Sequence, residues 1–154
     1  MNEIRVQREI SHTIEIDASP AAVWRELADT RAYGEWNPFV RRLDGELTEN
    51  ARLEVEIEPP RGRSMVFKPT VLAAKPEREL RWRGRFLVPG LFDGEHSFVI
   101  EPLEGGRSRF TQAERFSGLL VRPLGGSLEK TRLGFEAMNV ALKARAEDRA
   151  GGRA

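Results

Sequence analysis

Between Ile10 and Ile16 the chain alternates, with Ile10, Ile14 and Ile16 on one face and Ser11, Thr13 and Glu15 on the other, the period of a half-buried strand. Asp17-Ala-Ser19-Pro20 then predicts a helix start. Ser19 can accept from the free amides there, and Pro20 at the first helical position forfeits no hydrogen bond. Val23, Trp24 and Leu27 give this short helix its apolar side. Gly34 and Pro38 break the pattern around Tyr33-Gly-Glu-Trp36-Asn-Pro-Phe39, so a turn or second small helix ends there.

From about Phe39 to Phe116 the pattern predicts antiparallel strands punctuated by Asp44-Gly45, Pro59-Pro60-Arg61-Gly62, Pro76, Pro89-Gly90 and Gly105-Gly106. Leu53, Val55 and Ile57 alternate with Arg52, Glu54, Glu56 and Glu58, while Leu80, Trp82 and Phe86 alternate with Arg81, Arg83 and Arg85. Each strand therefore has one dry face. Pro69 lacks the N–H a central strand needs, which predicts a bulge, a bend or an edge position. After Leu124-Gly125-Gly126 the period changes. Ser127 is placed to cap, and Leu128, Thr131, Phe135, Met138 and Leu142 form one stripe of a long helix. Residues 1–146 are expected to form one ligand-binding domain and residues 147–154 a disordered tail.

A strand, short helices, a run of strands and a long helix give an α+β domain with its helices on one side of an antiparallel sheet. A curved sheet closing on a helix leaves space between them, the natural place for a small hydrophobic molecule.

Charge alters this picture little. Lys and Arg number 25 against 24 Asp and Glu, so no strong field draws nucleic acid or an anionic membrane. Cysteine is absent, which excludes disulfides and thiolate metal sites and suits the cytoplasm. The N-terminal stretch is polar and no apolar run approaches a membrane span, so membrane insertion is not expected. Two histidines far apart in sequence predict no metal, and no glycine-rich phosphate loop or other cofactor motif is present.

The candidate chemistry follows from strand phase. His96, Phe98 and Ile100 share a face, so His96 points inward, either as a general acid or base on a ligand or as a core histidine satisfied by a carbonyl or water. Phe110, Gln112, Glu114 and Phe116 share a face of the next strand. A carboxylate there must be paired, hydrogen-bonded or neutral, so Glu114 is a ligand anchor, an acid/base, or a structural partner of Arg or His. Gln112 orients a ligand or satisfies the backbone. His12 is in phase with Ile10 and Ile14, and pairing of the first and last strands brings it near Gln112 and Glu114, although a register slip of one residue would undo this. Asn139, four residues after Phe135, borders the helical stripe. Trp36, Phe67, Trp82, Phe86, Phe98, Phe135 and Met138 are the apolar lining candidates, with ordinary core packing as the alternative. The apolar Leu87-Val-Pro-Gly-Leu-Phe92 segment reads as a gate or a buried turn. Arg81, Arg83 and Arg85 read as a solvated face that pairs with Glu54, Glu56 and Glu58 if those strands share a surface.

Ile14-Glu-Ile-Asp-Ala-Ser-Pro-Ala-Ala-Val-Trp24, the Tyr33–Phe39 stretch, Gly94-Glu-His-Ser-Phe98 and Gln112-Ala-Glu-Arg-Phe-Ser-Gly118 together resemble the polyketide cyclase/dehydrase-like branch of the START and birch-pollen-allergen (SRPBCC) superfamily. The resemblance runs from about Ile10 to Leu142. It implies a helix-grip fold, a curved seven-stranded antiparallel sheet around the C-terminal helix with two short helices between the first two strands, the first strand lying beside the second and the last. It also implies ligand binding as the leading function. The alternatives are a cyclase/dehydratase-type enzyme using His96 or Glu114, and a protein-interaction domain of the co-chaperone-activator kind.

Overall fold

The alternating segment forms β1 (Gln7–Ile16) in the computed structural model, which describes residues 7–86, 92–118 and 125–151 apart from the side chains of Gln7, Arg85, Phe86, Phe92 and Ser127. Helix α1 (Pro20–Ala28) starts as predicted: the Ala22 amide donates to Ser19 Oγ at 3.1 Å, and Pro20 opens the first turn. Val23 and Leu27 are buried, and so is Glu26. Arg149 Nε lies 2.7 Å from that carboxylate and Arg145 Nε 3.8 Å, the compensation a buried charge requires. A 3-10 turn (Thr30–Ala32) leads into α2 (Tyr33–Trp36). Tyr33 is fully buried and donates its hydroxyl to the Leu27 carbonyl. Burial, with the Asp29 charge adding, pushes that hydroxyl far above the usual tyrosine range, so it remains a donor. Asn37 Oδ1 then accepts from the amides of Phe39 (3.0 Å) and Val40 (2.8 Å), turning the chain into β2 (Val40–Asp44).

The remaining strands are β3 (Glu54–Ile57), β4 (Met65–Phe67), β5 (Thr70–Lys75), β6 (Glu79–Phe86), β7 (Phe92–Leu103) and β8 (Arg107–Ser117). They form two antiparallel sheets, one of five strands in the order β1-β8-β7-β6-β5 and one of three in the order β2-β3-β4. The division falls at Lys68-Pro69. Pro69 has no amide to continue the ladder, but its carbonyl accepts from Leu53 N at 2.8 Å, and Val71 exchanges bonds with Asn50 and Ala51, so the segment before β3 stitches the two sheets together.

This corrects the expected sheet in two respects. The seven-stranded count holds only if β4 and β5 are taken as halves of one strand broken by Pro69. Strand β1 pairs with β8 and not with β2, because α1, the 3-10 turn and α2 occupy the interval and the Asn37 turn delivers β2 to the far edge of the smaller sheet. The outer charges also pair differently from expectation. Arg81 meets Glu79 (3.3 Å) and Glu95 (3.1 Å), whereas Glu54 and Glu56 are taken by Arg42, since β3 is not a neighbour of β6.

Helix α3 (Gly125–Ala150) packs on β1 and α1, burying Leu128, Phe135, Met138 and Leu142 as the stripe requires. It does not dissolve into a tail at residue 147. Ala146 is buried, Glu147 Oε1 accepts from Asp17 N (2.9 Å) and Lys143 Nζ (2.6 Å), and Arg149 reaches Glu26, so polar contacts hold the last turn where apolar periodicity has ended. Residues 152–154, the 87–91 part of the apolar segment and the Ser127 cap lie outside the described structure. No described helix is long and apolar enough to cross a membrane.

Candidate functional site

Register determines what the inner face presents. In the β7/β8 ladder His96 is opposite Glu114 and Phe98 opposite Gln112, while the β1/β8 ladder sets His12 opposite Gln112 and Ile10 opposite Glu114. Cross-strand partners on one face lie within side-chain reach of one another. Asn139 descends onto the same spot from α3, fully buried, as is Gln112.

The five polar side chains form one continuous chain. Asn139 Nδ2 donates to the His12 carbonyl (3.0 Å) and to His12 Nδ1 (2.9 Å), Gln112 Nε2 donates to Asn139 Oδ1 (2.9 Å), and Gln112 Oε1 lies 2.9 Å from His96 Nε2. His96 Nδ1 is 3.3 Å from Glu114 Oε2. A backbone carbonyl only accepts, so the contact with His12 O fixes the Asn139 amide. Asn139 then offers its oxygen to Gln112, Gln112 offers its oxygen to His96, and His96 Nε2 must carry a proton. At the other end His12 Nδ1 accepts, so His12 is a neutral imidazole protonated on Nε2.

Aromatic rings enclose the histidine. Trp82, Phe98 and Phe135 have ring centroids 5.1, 4.6 and 5.0 Å from that of His96, and Phe39 packs edge-on against Phe135 at 5.7 Å. The ring is thereby held from three sides, with both nitrogens occupied. His12 at one end is half-buried, and Glu114 at the other reaches toward solvent, its side chain 17% exposed against 6% for His96. Its Oε1 lies over Gly94, 2.7 Å from where a Cβ would stand. Gly84 is directly opposite Gly94, and among the described residues nothing approaches within 4 Å of a Cβ built there. Of these two facing positions on the inner face, Gly94 is covered by the Glu114 carboxylate, and Gly84 leaves room, among the described residues, that a side chain would otherwise take.

A family model for polyketide cyclase / dehydrase and lipid transport matches residues 7–147. The chain belongs to that family. Similar solved structures agree on the fold. A START superfamily protein from Mycobacterium smegmatis superposes with a TM-score of 0.69 at 23% identity, covering 92% of this chain and 98% of that one. The Zhui aromatase/cyclase from a Streptomyces species gives 0.68 at 16% identity, covering 96% of each chain. A norcoclaurine synthase point mutant from Thalictrum, in complex with a transition-state analogue, gives 0.68 at 14%, covering 96% and 99%. No curated protein sequence matches the chain.

Within this polyketide cyclase/dehydrase fold, the polar candidates His96, Gln112, Glu114, Asn139 and His12 converge, although His12 touches Asn139 and leaves the position opposite Glu114 to Ile10. The aromatic candidates separate into two groups. Trp82, Phe98 and Phe135 surround His96, and Met138 is buried beside them in the same core. Trp36, edge-on to Tyr33, and Phe67 on β4 pack against the core's margin instead. The side chain of Phe86 lies outside the described structure. The interior around His96 is filled, with Phe98, Phe110, Phe135 and Met138 having no exposure, and among the described residues Gly84 is an open position on the inner face. Neither Gly84 nor Gly94 carries the apolar bulk by which lining residues are marked in the sequence. Their signal was nonetheless present, since both are in phase with Trp82 and His96. Among the described residues no three His, Asp or Glu side chains converge to hold a metal ion.

Proposed function

We propose that the protein binds a small hydrophobic or amphipathic molecule at the Gly84–Gly94 end of the space between sheet and helix, with Glu114 as its polar anchor and Trp82 and Phe116 as apolar walls. The observation that carries this reading is what the network leaves at its Glu114 end. Its three middle members, His96, Gln112 and Asn139, are buried and satisfied, His12 is half-buried against Asn139, and Glu114 keeps Oε1 beside Gly84, a position that no described atom fills. A lipid, a polyketide-like aromatic or an isoprenoid has the required chemistry, and cysteine-free sequence suits such work in the cytoplasm. Native mass spectrometry of the protein purified from its own host tests the reading, with a retained small molecule lost in Gly94→Phe as the expected result. If neither the host nor a broad hydrophobic screen supplies a ligand, the reading fails.

A second reading is supported by the His96–Glu114 pair itself. A carboxyl group oriented by an imidazole whose other nitrogen is fixed is the arrangement of a general acid/base, as a cyclase or dehydratase needs. Because both His96 nitrogens are engaged, Glu114 is the group that touches the reacting atoms and His96 is the positioning residue. Turnover of an identified substrate would then be abolished by Glu114→Gln, and unchanged rates would remove Glu114 from the mechanism.

A further inference from the structure

We infer that the Glu114 end of the network selects ligands that present a hydrogen-bond donor, a hydroxyl or phenol, and discriminates against the corresponding ethers and ketones. The inference rests on the ligand-binding reading above and adds the polarity of the group recognised.

The His12 carbonyl can only accept, and this one constraint passes through Asn139 and Gln112 to leave a proton on His96 Nε2. Only Nδ1 then remains to face Glu114. A bare nitrogen lone pair 3.3 Å from a carboxylate oxygen would be repulsive, so the pair holds one proton, on Nδ1 or on the carboxyl group. Whether that proton sits on nitrogen or on oxygen, Oε1 is an acceptor, as the second oxygen of a carboxylate or as the carbonyl oxygen of an acid. Oε1 is the atom over Gly94, at the space facing Gly84. A hydroxyl there completes the network. An ether or ketone oxygen sets acceptor against acceptor, and a carboxylate adds charge repulsion. Such mismatches are discriminated strongly because the polar groups are partly withdrawn from water and left unpaired.

The walls fit the same ligand. Trp82 lies on the His96 side of Glu114, and on the other side Phe116 and Leu128 form a small apolar cluster with Ile10, the cross-strand partner of Glu114. An apolar body with one hydroxyl matches walls of this kind around a single acceptor.

The test is calorimetric titration of the full-length protein with 2-naphthol, 2-methoxynaphthalene and 2-acetylnaphthalene, which differ in whether the substituent donates. The naphthol is expected to bind at least about tenfold more tightly than either of the others. Glu114→Gln should preserve this preference. With Nε2–H still committed to Gln112, Nδ1 accepts from the new amide NH₂ and the amide oxygen turns to the ligand. Glu114→Leu should bring naphthol and ether to within about twofold. Circular dichroism reports whether the variants are folded, and the three-probe comparison on the unmodified protein decides the matter without them. Equal binding of the three probes overturns the donor preference and leaves the ligand-binding reading standing. Retention of the preference in folded Glu114→Leu also overturns it. If none of the probes binds, the inference falls, and the ligand-binding reading falls with it when the native protein also carries no retained molecule.

Discussion

Gly134→Ala sets two effects of known size against each other. In an open helix interior, replacing glycine by alanine stabilises by about 1 kcal/mol through backbone entropy. Gly134 is in the middle of α3, so propensity alone predicts a gain. An added Cβ would, however, stand 2.3 Å from Phe39 Cδ2 and 2.5 Å from Cε2. Carbon atoms rest at about 3.5–4.0 Å, so ring or helix must withdraw by more than about 1 Å. Phe39 has little freedom to do so. It is 1% exposed, its amide and that of Val40 are both tied to Asn37 Oδ1, and its ring is packed edge-on against Phe135, which in turn contacts His96. Overpacking of this kind typically costs about 1–3 kcal/mol and here would outweigh the propensity gain.

The expected outcome is a net destabilisation of about 1–2 kcal/mol, measured by urea unfolding monitored by circular dichroism. The decisive comparison is the same substitution in a Phe39→Ala background. There the obstructing ring atoms are gone, and Gly134→Ala should change sign, stabilising by up to about 1 kcal/mol. A stabilising effect in the unmodified protein, or an equal penalty in both backgrounds, would falsify the claim that the Phe39 ring is what requires glycine at this position.

Three further predictions follow from the same contacts. Asn139→Leu removes both donors to His12 and the acceptor for Gln112, leaving buried polar groups without partners, and should cost about 2–4 kcal/mol in urea unfolding; a loss under about 0.5 kcal/mol would show that the network contributes nothing to folding. Tyr33→Phe abandons the Leu27 carbonyl near the end of α1 and should cost about 1–2 kcal/mol, with an unchanged melting temperature as the contrary result. Glu147 is held below the ordinary carboxylate value chiefly by its bond from Lys143, with desolvation opposing this and the Asp17 amide adding to it. A depressed folded value contributes stability that is full above the unfolded pKa of about 4.5 and is lost as pH falls through the folded value. Glu147→Gln should therefore flatten the acid limb of the stability curve below about pH 4.5 while costing less than about 1 kcal/mol at neutrality, because the pair is partly solvated; a variant as acid-sensitive as the parent would contradict this.

The fold was legible where a single periodicity dominates. The two-residue alternation of β1, β3 and β6 and the stripe from Leu128 to Leu142 each survive in the structure, because burial is settled by which face is apolar. What escaped was settled by polar contacts that have no period. The end of α3 is held by Glu147 and Arg149 bonding to residues some 120 positions away, Asp17 and Glu26, and no local pattern encodes such a pairing. Sheet adjacency was beyond pattern analysis for a related reason. Residues 53–57 and 80–86 carry similar alternations with opposite charges outward, which invites pairing, yet β4 and β5 lie between the two strands, so they never meet.

The site shows the same division more sharply. Phase placed His96, Gln112, Glu114 and His12 inward, but phase is indifferent to which inward residue meets which. That is decided by register, and a slip of one residue between β1 and β8 would carry His12 out of the interior altogether. The network itself opposes such a slip. Its members come from β1, β7, β8 and α3, and displacing any one element leaves a buried amide, imidazole or carboxylate without its partner, which costs more than an equivalent apolar mismatch. The contacts that fix the sheet's register are thus the contacts that fix the proton on His96 and the acceptor at Glu114. A purely apolar interior of the same volume would tolerate the slip, and with it would lose any means of presenting one defined oxygen to a ligand.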